Sequence, residues 1–182
     1  MATRPLWIFG YGSLMWHPGF DFAERRLARL AGYARSFCMR SIHHRGTVED
    51  PGLVLALDAH EGSACEGVAF RVEDDKAEAV MTYLRERELI SSAYLEATVE
   101  IALDDGRTVE AVTYVVDTDH VQYCGGLDLE TQAHIIAHAV GGRGPNTEYL
   151  YNTTDHLHEL DIADEELSWL SRRVRAIAEG GA

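Results

Sequence analysis

The order of the predicted secondary structure elements indicates an α+β fold. Strand patterns dominate the first two-thirds of the 182-residue chain, and helical patterns dominate the last third. This order favours a largely antiparallel sheet or barrel, because a doubly wound nucleotide-binding fold would alternate strands and helices. A chain of this length most simply forms one domain, so we expect residues 1–182 to be a single domain.

The individual elements follow from apolar runs, alternating runs and helical spacing. Strands are predicted at residues 6–9, 25–40, 53–57, 66–72, 97–103 and 108–116. The last two are joined by Asp104-Asp105-Gly106, which is a hairpin-type turn. Helices are predicted at residues 74–88, 129–140, 146–158 and 164–178. We expect Asn146 to be the N-cap of the third helix, because asparagine is a favoured capping residue.

The charge balance narrows the classes of partner. Thirty acidic residues against sixteen basic ones give a formal net charge of -14. Nucleic acid and anionic membrane surfaces are disfavoured as partners, because both are bound through basic patches. Three cysteines without a CxxC pair suit a reducing cytosol, and no apolar run approaches the roughly 18 residues of a membrane span. We therefore expect a cytoplasmic protein that acts on small molecules or proteins.

A glycine-rich turn follows the first predicted strand, in the sequence Phe9-Gly10-Tyr11-Gly12-Ser13-Leu14. Glycines let the backbone turn sharply and approach a ligand, and successive N–H groups in such a turn can bind an anion. The turn lacks the third glycine of the dinucleotide pattern and the Gly-Lys-Ser/Thr of a phosphate-binding loop. Two interpretations stay open: a ligand-binding turn, or a tight turn that only ends a strand.

One carboxylate is predicted on the apolar side of the helix at residues 74–88. Helical spacing aligns Glu88 with Met81 and Leu84, whereas Glu86 falls among the solvent-facing charges. Burial raises the pKa of a carboxyl group toward the range in which it can transfer protons. The alternative is that Glu88 only ends the helix and pairs with Arg85 or another nearby arginine.

Other reactive residue types form weaker patterns. His134 and His138 are four residues apart, but the glutamate of a metalloprotease motif and a third ligand are missing, so we expect no metal site. Cys38 lies in an apolar run, which is typical of an inert buried thiol. Arg45 could be a fork for a carboxylate or a surface charge, and the sequence leaves both interpretations open.

Taken together and in this order, the motifs resemble those of the ChaC-type γ-glutamylcyclotransferases. The resemblance runs from Trp7 to about Tyr151, and the spacing between Glu88 and Tyr94 is closer to that of bacterial members. Any one motif is weak, but five in register are specific. They are Phe9 to Leu14 followed by Trp16, His44-Arg45-Gly46, Gly67 to Arg71, Tyr83-Leu84 with Arg87-Glu88, and Asn146 to Leu150.

The resemblance implies a small mixed or antiparallel β-barrel, or a curved sheet, with flanking helices. It also implies a lyase-type enzyme of glutathione catabolism that uses no cofactor and no metal. The α-amine of glutathione would attack its own γ-carbonyl and release 5-oxoproline and Cys-Gly, with Glu88 as the general acid and base. We expect a monomer or homodimer. The residues implied in substrate binding are Tyr11, Gly12, Ser13, Leu14, Arg45, Tyr94 and Tyr149.

Two other functions remain open at this point. One is a cyclotransferase for other γ-glutamyl amino acids or amines, since the turn and the glutamate would handle the glutamyl half common to all of them. The other is a non-catalytic regulatory binding protein linked to cation transport, an association made for the family. Glu88 separates the classes, because a binding protein would tolerate Glu88→Gln.

Overall fold

A closed barrel of five strands forms the sheet of the protein, in a computed structural model that describes residues 5–89 and 93–180. Around the barrel the strands are ordered β1-β3-β2-β4-β5, and the parallel pairing of Ile8 with Val112 closes it. The α+β class and the small mixed barrel are thereby confirmed. The strands are β1 (Leu6–Gly10), β2 (Glu24–Ser41), β3 (Gly52–Val72), β4 (Tyr94–Leu103) and β5 (Thr108–Val116).

The helices lie within a few residues of their predicted positions. The aspartates before α2 and α4 cap them, because Asp128 accepts from the Thr131 N–H and Asp164 from the Leu167 N–H. Among the described residues, no helix has the length and apolar character needed to cross a membrane. The helices are α1 (Ala77–Glu88), α2 (Leu129–His138), α3 (Asn146–Glu159) and α4 (Glu165–Ala178), with a short hairpin of β6 (Val140–Gly141) and β7 (Gly144–Pro145) before α3.

The chain divides into two compact units, each built from two stretches of sequence. The first consists of Met1–Arg35 and Leu57–His120, and the second of Ser36–Ala56 and Val121–Ala182. The divisions at residues 35 and 56 fall inside β2 and β3, not in a linker. The expectation of a single domain stays a prediction.

One strand differs from its prediction. The sequence predicted separate strands at 53–57 and 66–72, whereas β3 is continuous from Gly52 to Val72. The prediction was wrong because residues between them, such as His60 and Glu61, are exposed and carry no apolar pattern. All of β1 pairs with residues 68–72 of β3, so hydrogen bonding to the long neighbouring strand β2 keeps the polar stretch extended where local propensity does not predict a strand.

Consecutive residues of β1 belong to two different hydrophobic clusters of the first unit. Trp7 and Phe9 belong to one cluster with residues of the other barrel strands. Ile8 belongs to a second cluster, in which it packs with Val80 and Leu84 of α1. Successive residues of a strand face opposite sides of the sheet, so one short strand anchors both clusters. This packing fixes α1 against β1 and so determines where the end of α1 lies.

All three cysteines are buried. Cys38, Cys65 and Cys124 are free thiols and are only 1%, 3% and 8% exposed. Burial raises the pKa of the Cys124 thiol, with Arg40 acting in the opposite direction. The prediction that Cys38 is a buried thiol within a strand is confirmed.

Candidate active site

The glycine-rich turn lies directly after β1 and begins a single 3₁₀ turn at Ser13–Met15. Gly10 is required there, because a Cβ on it would lie 2.9 Å from the Leu14 Cβ. Gly12 differs, since no heavy atom lies within 4 Å of the position its Cβ would occupy. The first N–H groups of a helical turn have no partner within that turn. The geometry therefore suits an open backbone site, and its role in binding stays a prediction.

Two buried side chains hold the strand that leads into this turn. Arg35 is 5% exposed, and its Nε donates to the Tyr11 carbonyl over 2.7 Å while its Nη2 donates to the Glu66 carbonyl. Thr113 Oγ1 donates to the Phe9 carbonyl over 2.9 Å. Hydrogen bonds from a charged guanidinium are among the stronger ones in proteins. Neither residue was predicted from the sequence, although an arginine within an alternating strand was a usable signal for Arg35.

Glu88 is the last residue of α1, and its side chain is 21% exposed. Burial raises the pKa of the Glu88 carboxyl, and the charge of Arg87 partly opposes this. Glu86 is exposed, as the helical spacing predicted. Arg85 is bonded to Glu96, and the nearby arginine that pairs with Glu88 is Arg87, so the contacts of the alternative interpretation, a helix-ending glutamate paired with an arginine, are present as well. The role of Glu88 in proton transfer stays a prediction.

Arg87 joins the end of α1 to the glycine-rich turn. Its Nε lies 3.3 Å from Glu88 Oε1, and its Nη2 donates to Ser13 Oγ over 3.0 Å. Its Nη1 donates to the carbonyl oxygens of His17 and Pro18 over 2.7 and 3.1 Å. Arg87 was named only as part of the family motif with Glu88, and its position next to Glu88 was the signal for this role. One guanidinium thus links the candidate acid and base to the candidate binding turn.

The two predicted tyrosines of this unit lie in different clusters. Tyr94 is the first residue of β4 and packs with Leu84 and Leu89 in the cluster against α1. Tyr11 packs against the cluster that contains Trp7. The first unit therefore contains Tyr11 to Leu14, Glu88 and Tyr94, and a substrate contact by Tyr94 stays a prediction.

Arg45 and Tyr149 lie together in the second unit. The Arg45 Cζ is 5.8 Å from the centre of the Tyr149 ring, and its Nη1 donates to the Pro145 carbonyl over 3.1 Å. The Arg45 side chain is 14% exposed, so it is packed and not a simple surface charge. The glycine after it is needed for close packing, because a Cβ on Gly46 would collide with the backbone nitrogen of Gly52.

The expected N-cap of α3 has a different role. Asn146 is the first residue of the helix and is fully buried, and Pro145 occupies the cap position. Its Oδ1 accepts from the Leu53 N–H over 2.8 Å, and its Nδ2 donates to the Leu53 carbonyl over 2.9 Å. The Tyr149 hydroxyl accepts from the Leu55 N–H over 3.2 Å. The N-cap prediction was wrong because the amide pairs with a strand that is 93 residues away in sequence.

Replacing Asn146 tests this docking of α3 on β3. Asn146→Ala is expected to lower the free energy of unfolding by about 2 kcal/mol, because the buried N–H and carbonyl of Leu53 lose their partner. Urea unfolding followed by circular dichroism measures the change. Asn152→Ala, at an exposed position of the same helix, is the matched control and is expected to be neutral. Equal stability of the two variants would contradict the assignment.

Comparison with known proteins identifies the family. A family model described as ChaC-like protein matches residues 6–177. The chain belongs to the ChaC-like family. A relative from Escherichia coli K12, named glutathione-specific γ-glutamylcyclotransferase, is 39% identical over 173 residues, covering 95% of this chain and 74% of the relative. The human glutathione-specific γ-glutamylcyclotransferase 1 is 34% identical, covering 85% of this chain and 70% of its own.

A solved structure supports the same fold. The crystal structure of a glutathione-specific γ-glutamylcyclotransferase from yeast superposes with a TM-score of 0.82 at 24% identity, covering 95% of this ChaC-like chain and 96% of the yeast chain. The family resemblance and the barrel with flanking helices are therefore confirmed.

A separate pocket of about 530 Å³ opens at the other end of β1 of the ChaC-like protein. It is lined by Trp7, Arg71 and Arg107 among others. Both arginines bond to Glu24, and bonds from Arg26 and Arg107 lower the pKa of Glu24 to about 2. This pocket lies at Leu6, whereas the glycine-rich turn follows Gly10, so it is not the candidate active site.

Histidines on α2 are engaged in local contacts. His134 Nε2 lies 3.0 Å from Glu130 Oε1, and His138 Nδ1 lies 2.8 Å from the His134 carbonyl. Within residues 5–89 and 93–180, no group of three or more histidine, cysteine, aspartate or glutamate side chains could hold a metal ion.

Proposed function

We propose that this ChaC-like protein is a γ-glutamylcyclotransferase that converts glutathione to 5-oxoproline and Cys-Gly. The observation that carries the proposal is the half-buried Glu88, linked through Arg87 to Ser13 of the glycine-rich turn. The names of the relatives from E. coli and human support glutathione as the substrate. A cytoplasmic location is part of the proposal, because three free thiols suit a reducing compartment.

The first step is a proton transfer followed by ring closure. The Glu88 carboxylate takes a proton from the α-ammonium group of the glutamyl moiety. The freed nitrogen then forms a bond to the γ-carbonyl carbon and closes the five-membered ring. Because burial raises the pKa of Glu88, it is a stronger base than a glutamate on the surface.

The second step breaks the bond to cysteine. Ring closure places a negative charge on the former γ-carbonyl oxygen, and N–H groups of Gly12 to Leu14 would stabilise it as an oxyanion hole. As the tetrahedral intermediate collapses, protonated Glu88 returns its proton to the departing cysteinyl nitrogen. The ring nitrogen then loses its second proton, which Glu88 passes to the freed amine, so that 5-oxoproline leaves as the lactam and Cys-Gly as the ammonium. The carboxylate is regenerated, and no water is consumed.

Because both reacting groups belong to one molecule, the main task of the site is to hold the glutamyl chain folded. Well-oriented intramolecular reactions reach effective concentrations of about 10⁵ M or more. Hydrogen bonds from Arg35 and Thr113 fix the end of β1, and Arg87 fixes the turn relative to Glu88. The rigid support around the turn is consistent with such positioning.

A two-substrate assay tests the proposal. The purified protein is incubated with glutathione and, separately, with γ-glutamyl-alanine, and 5-oxoproline is measured from each. We expect product from glutathione with kcat/KM at least tenfold higher than from γ-glutamyl-alanine. Product from γ-glutamyl-alanine alone would overturn the choice of substrate. Product from neither would overturn the enzymatic function and favour a binding protein.

A further inference from the structure

A three-residue network lies beside Glu88, and the reaction described above does not use it. Arg85 binds the Glu96 carboxylate through two hydrogen bonds, from Nε to Oε1 over 3.0 Å and from Nη2 to Oε2 over 3.1 Å. The Tyr114 hydroxyl donates to Glu96 Oε1 over 3.1 Å. Glu96 and Tyr114 are paired across β4 and β5, and Tyr114 is 1% exposed. Glu96 is therefore held in place by three donors.

Arg85 lies close enough to Glu88 along the helix for this network to influence the Glu88 carboxylate. Both are on α1, three residues apart, and side chains at that spacing are neighbours on a helix surface. A guanidinium released from Glu96 would be within reach of the Glu88 carboxylate. Glu24 shows the effect of several arginines on one carboxylate in this chain, because bonds from Arg26, Arg107 and Arg71 lower its pKa to about 2.

We propose that Glu96 is a positioning residue that holds Arg85 away from Glu88, so that the Glu88 carboxylate meets the guanidinium of Arg87 alone. The inference rests on the proposed function, since it concerns the carboxylate that transfers the proton there. A second arginine at Glu88 would stabilise its ionised form and make it a weaker base.

Tyr114 reinforces this arrangement. Burial raises the pKa of its hydroxyl, and the charges of Glu96 and Glu88 raise it further. The hydroxyl therefore stays protonated, and it donates its hydrogen bond to Glu96. The Glu88 carboxylate then does not receive this hydrogen bond, which would otherwise stabilise its charged form.

The other charged groups near the end of α1 also influence how a substitution of Glu96 changes the pKa of Glu88. Arg87 is the cation that acts on the Glu88 carboxyl, where it opposes the effect of burial on the pKa. Replacing Glu96 thus removes a negative charge and also releases the guanidinium of Arg85 that was bonded to it. The titratable and charged side chains bonded or packed in these contacts are Tyr83, Arg85 and Arg87 on α1, Tyr94 and Glu96 on β4, Tyr114 on β5, and His17 in the loop bonded to Arg87. The same elements also carry Glu78 and Glu86 on α1, Glu100 on β4 and Glu110 on β5.

The pH dependence of 5-oxoproline release tests the proposal. In Glu96→Gln the freed Arg85 pairs with Glu88 and lowers its pKa, so the carboxylate persists to lower pH. The acidic limb of the kcat/KM profile is then expected to move down by about one pH unit, the size of shift that a neighbouring arginine produces. In Arg85→Gln/Glu96→Gln the limb is expected to return to its position in the unmodified protein, because the guanidinium that would pair with Glu88 is no longer present.

Two further variants separate this role from a structural one. Arg85→Gln alone removes the guanidinium, so its acidic limb is expected not to move to lower pH. Glu86→Gln removes an exposed carboxylate on the same helix and is expected to leave the profile unchanged. The proposal is overturned if Glu96→Gln leaves the limb in place, or if the shift persists in the double variant.

A readout that needs no substrate distinguishes failure of this inference from failure of the proposed function. The Glu88 carboxyl carbon is followed by ¹³C NMR during a pH titration and is assigned by its absence in Glu88→Gln. Its midpoint is expected to fall in Glu96→Gln and to recover in the double variant, whether or not glutathione is turned over. An unchanged midpoint in Glu96→Gln overturns the proposal even if the protein is an active cyclotransferase.

Discussion

Glu88→Gln is expected to lower kcat for 5-oxoproline release from glutathione by about 10²- to 10⁴-fold, the usual contribution of a general acid and base. Glutamine has nearly the same shape but can neither take the proton from the α-ammonium nor return one to the cysteinyl nitrogen. The rate is measured from 5-oxoproline formation at saturating glutathione. The loss is expected to fall mainly on kcat, because the proton transfers take place after glutathione is bound.

The control for this variant is the neighbouring exposed carboxylate. Glu86→Gln changes the charge of α1 equally and is expected to keep kcat within twofold. Circular dichroism and urea unfolding establish that both variants are folded. Turnover close to that of the unmodified protein in Glu88→Gln would refute the mechanism.

Arg87→Gln is expected to lower kcat/KM by about 100-fold, because a small misplacement of reacting groups has effects of that size. The substitution removes the hydrogen bonds to the carbonyls of His17 and Pro18 and to Ser13, as well as the ion pair with Glu88. Glutamine is too short to make these contacts together. Steady-state kinetics with glutathione gives kcat and KM separately, and loss in kcat is expected to dominate.

A second substitution of Arg87 separates the effect of its positive charge from the effect of its hydrogen-bonding geometry. Arg87→Lys keeps the positive charge but lacks the planar fork, so it is expected to recover only a minor part of the lost activity. Arg29→Gln, at an exposed position on β2, is the matched control and is expected to be silent. Full activity in Arg87→Lys would show that charge alone matters, contrary to the linking role.

Local sequence predicted the side of α1 on which Glu88 lies. The spacing of Glu88 from Leu84 carries that information, because a helix places residues four apart on one face. The same local information could not predict the partners of Arg87. Its contacts at His17 and Pro18 are about 70 residues away in sequence and depend on the packing of Ile8 against α1.

The errors in β3 and at Asn146 have the same physical origin. The polar middle of β3 is extended because β3 is hydrogen-bonded to β2 in the barrel, and the Asn146 amide binds Leu53 instead of its own helix. Each choice is determined by tertiary hydrogen bonds that outweigh local preference. The hairpin turn between β4 and β5 depends on adjacent residues, and it was predicted correctly, with Gly106 at a φ of 93°.

The burial of the cysteines has a consequence for a protein proposed to meet glutathione at cellular concentrations. Formation of a mixed disulfide needs an accessible thiolate to attack the disulfide of oxidised glutathione. Cys38, Cys65 and Cys124 are all enclosed, and burial further keeps the Cys124 thiol protonated. The folded protein is therefore expected to resist S-glutathionylation.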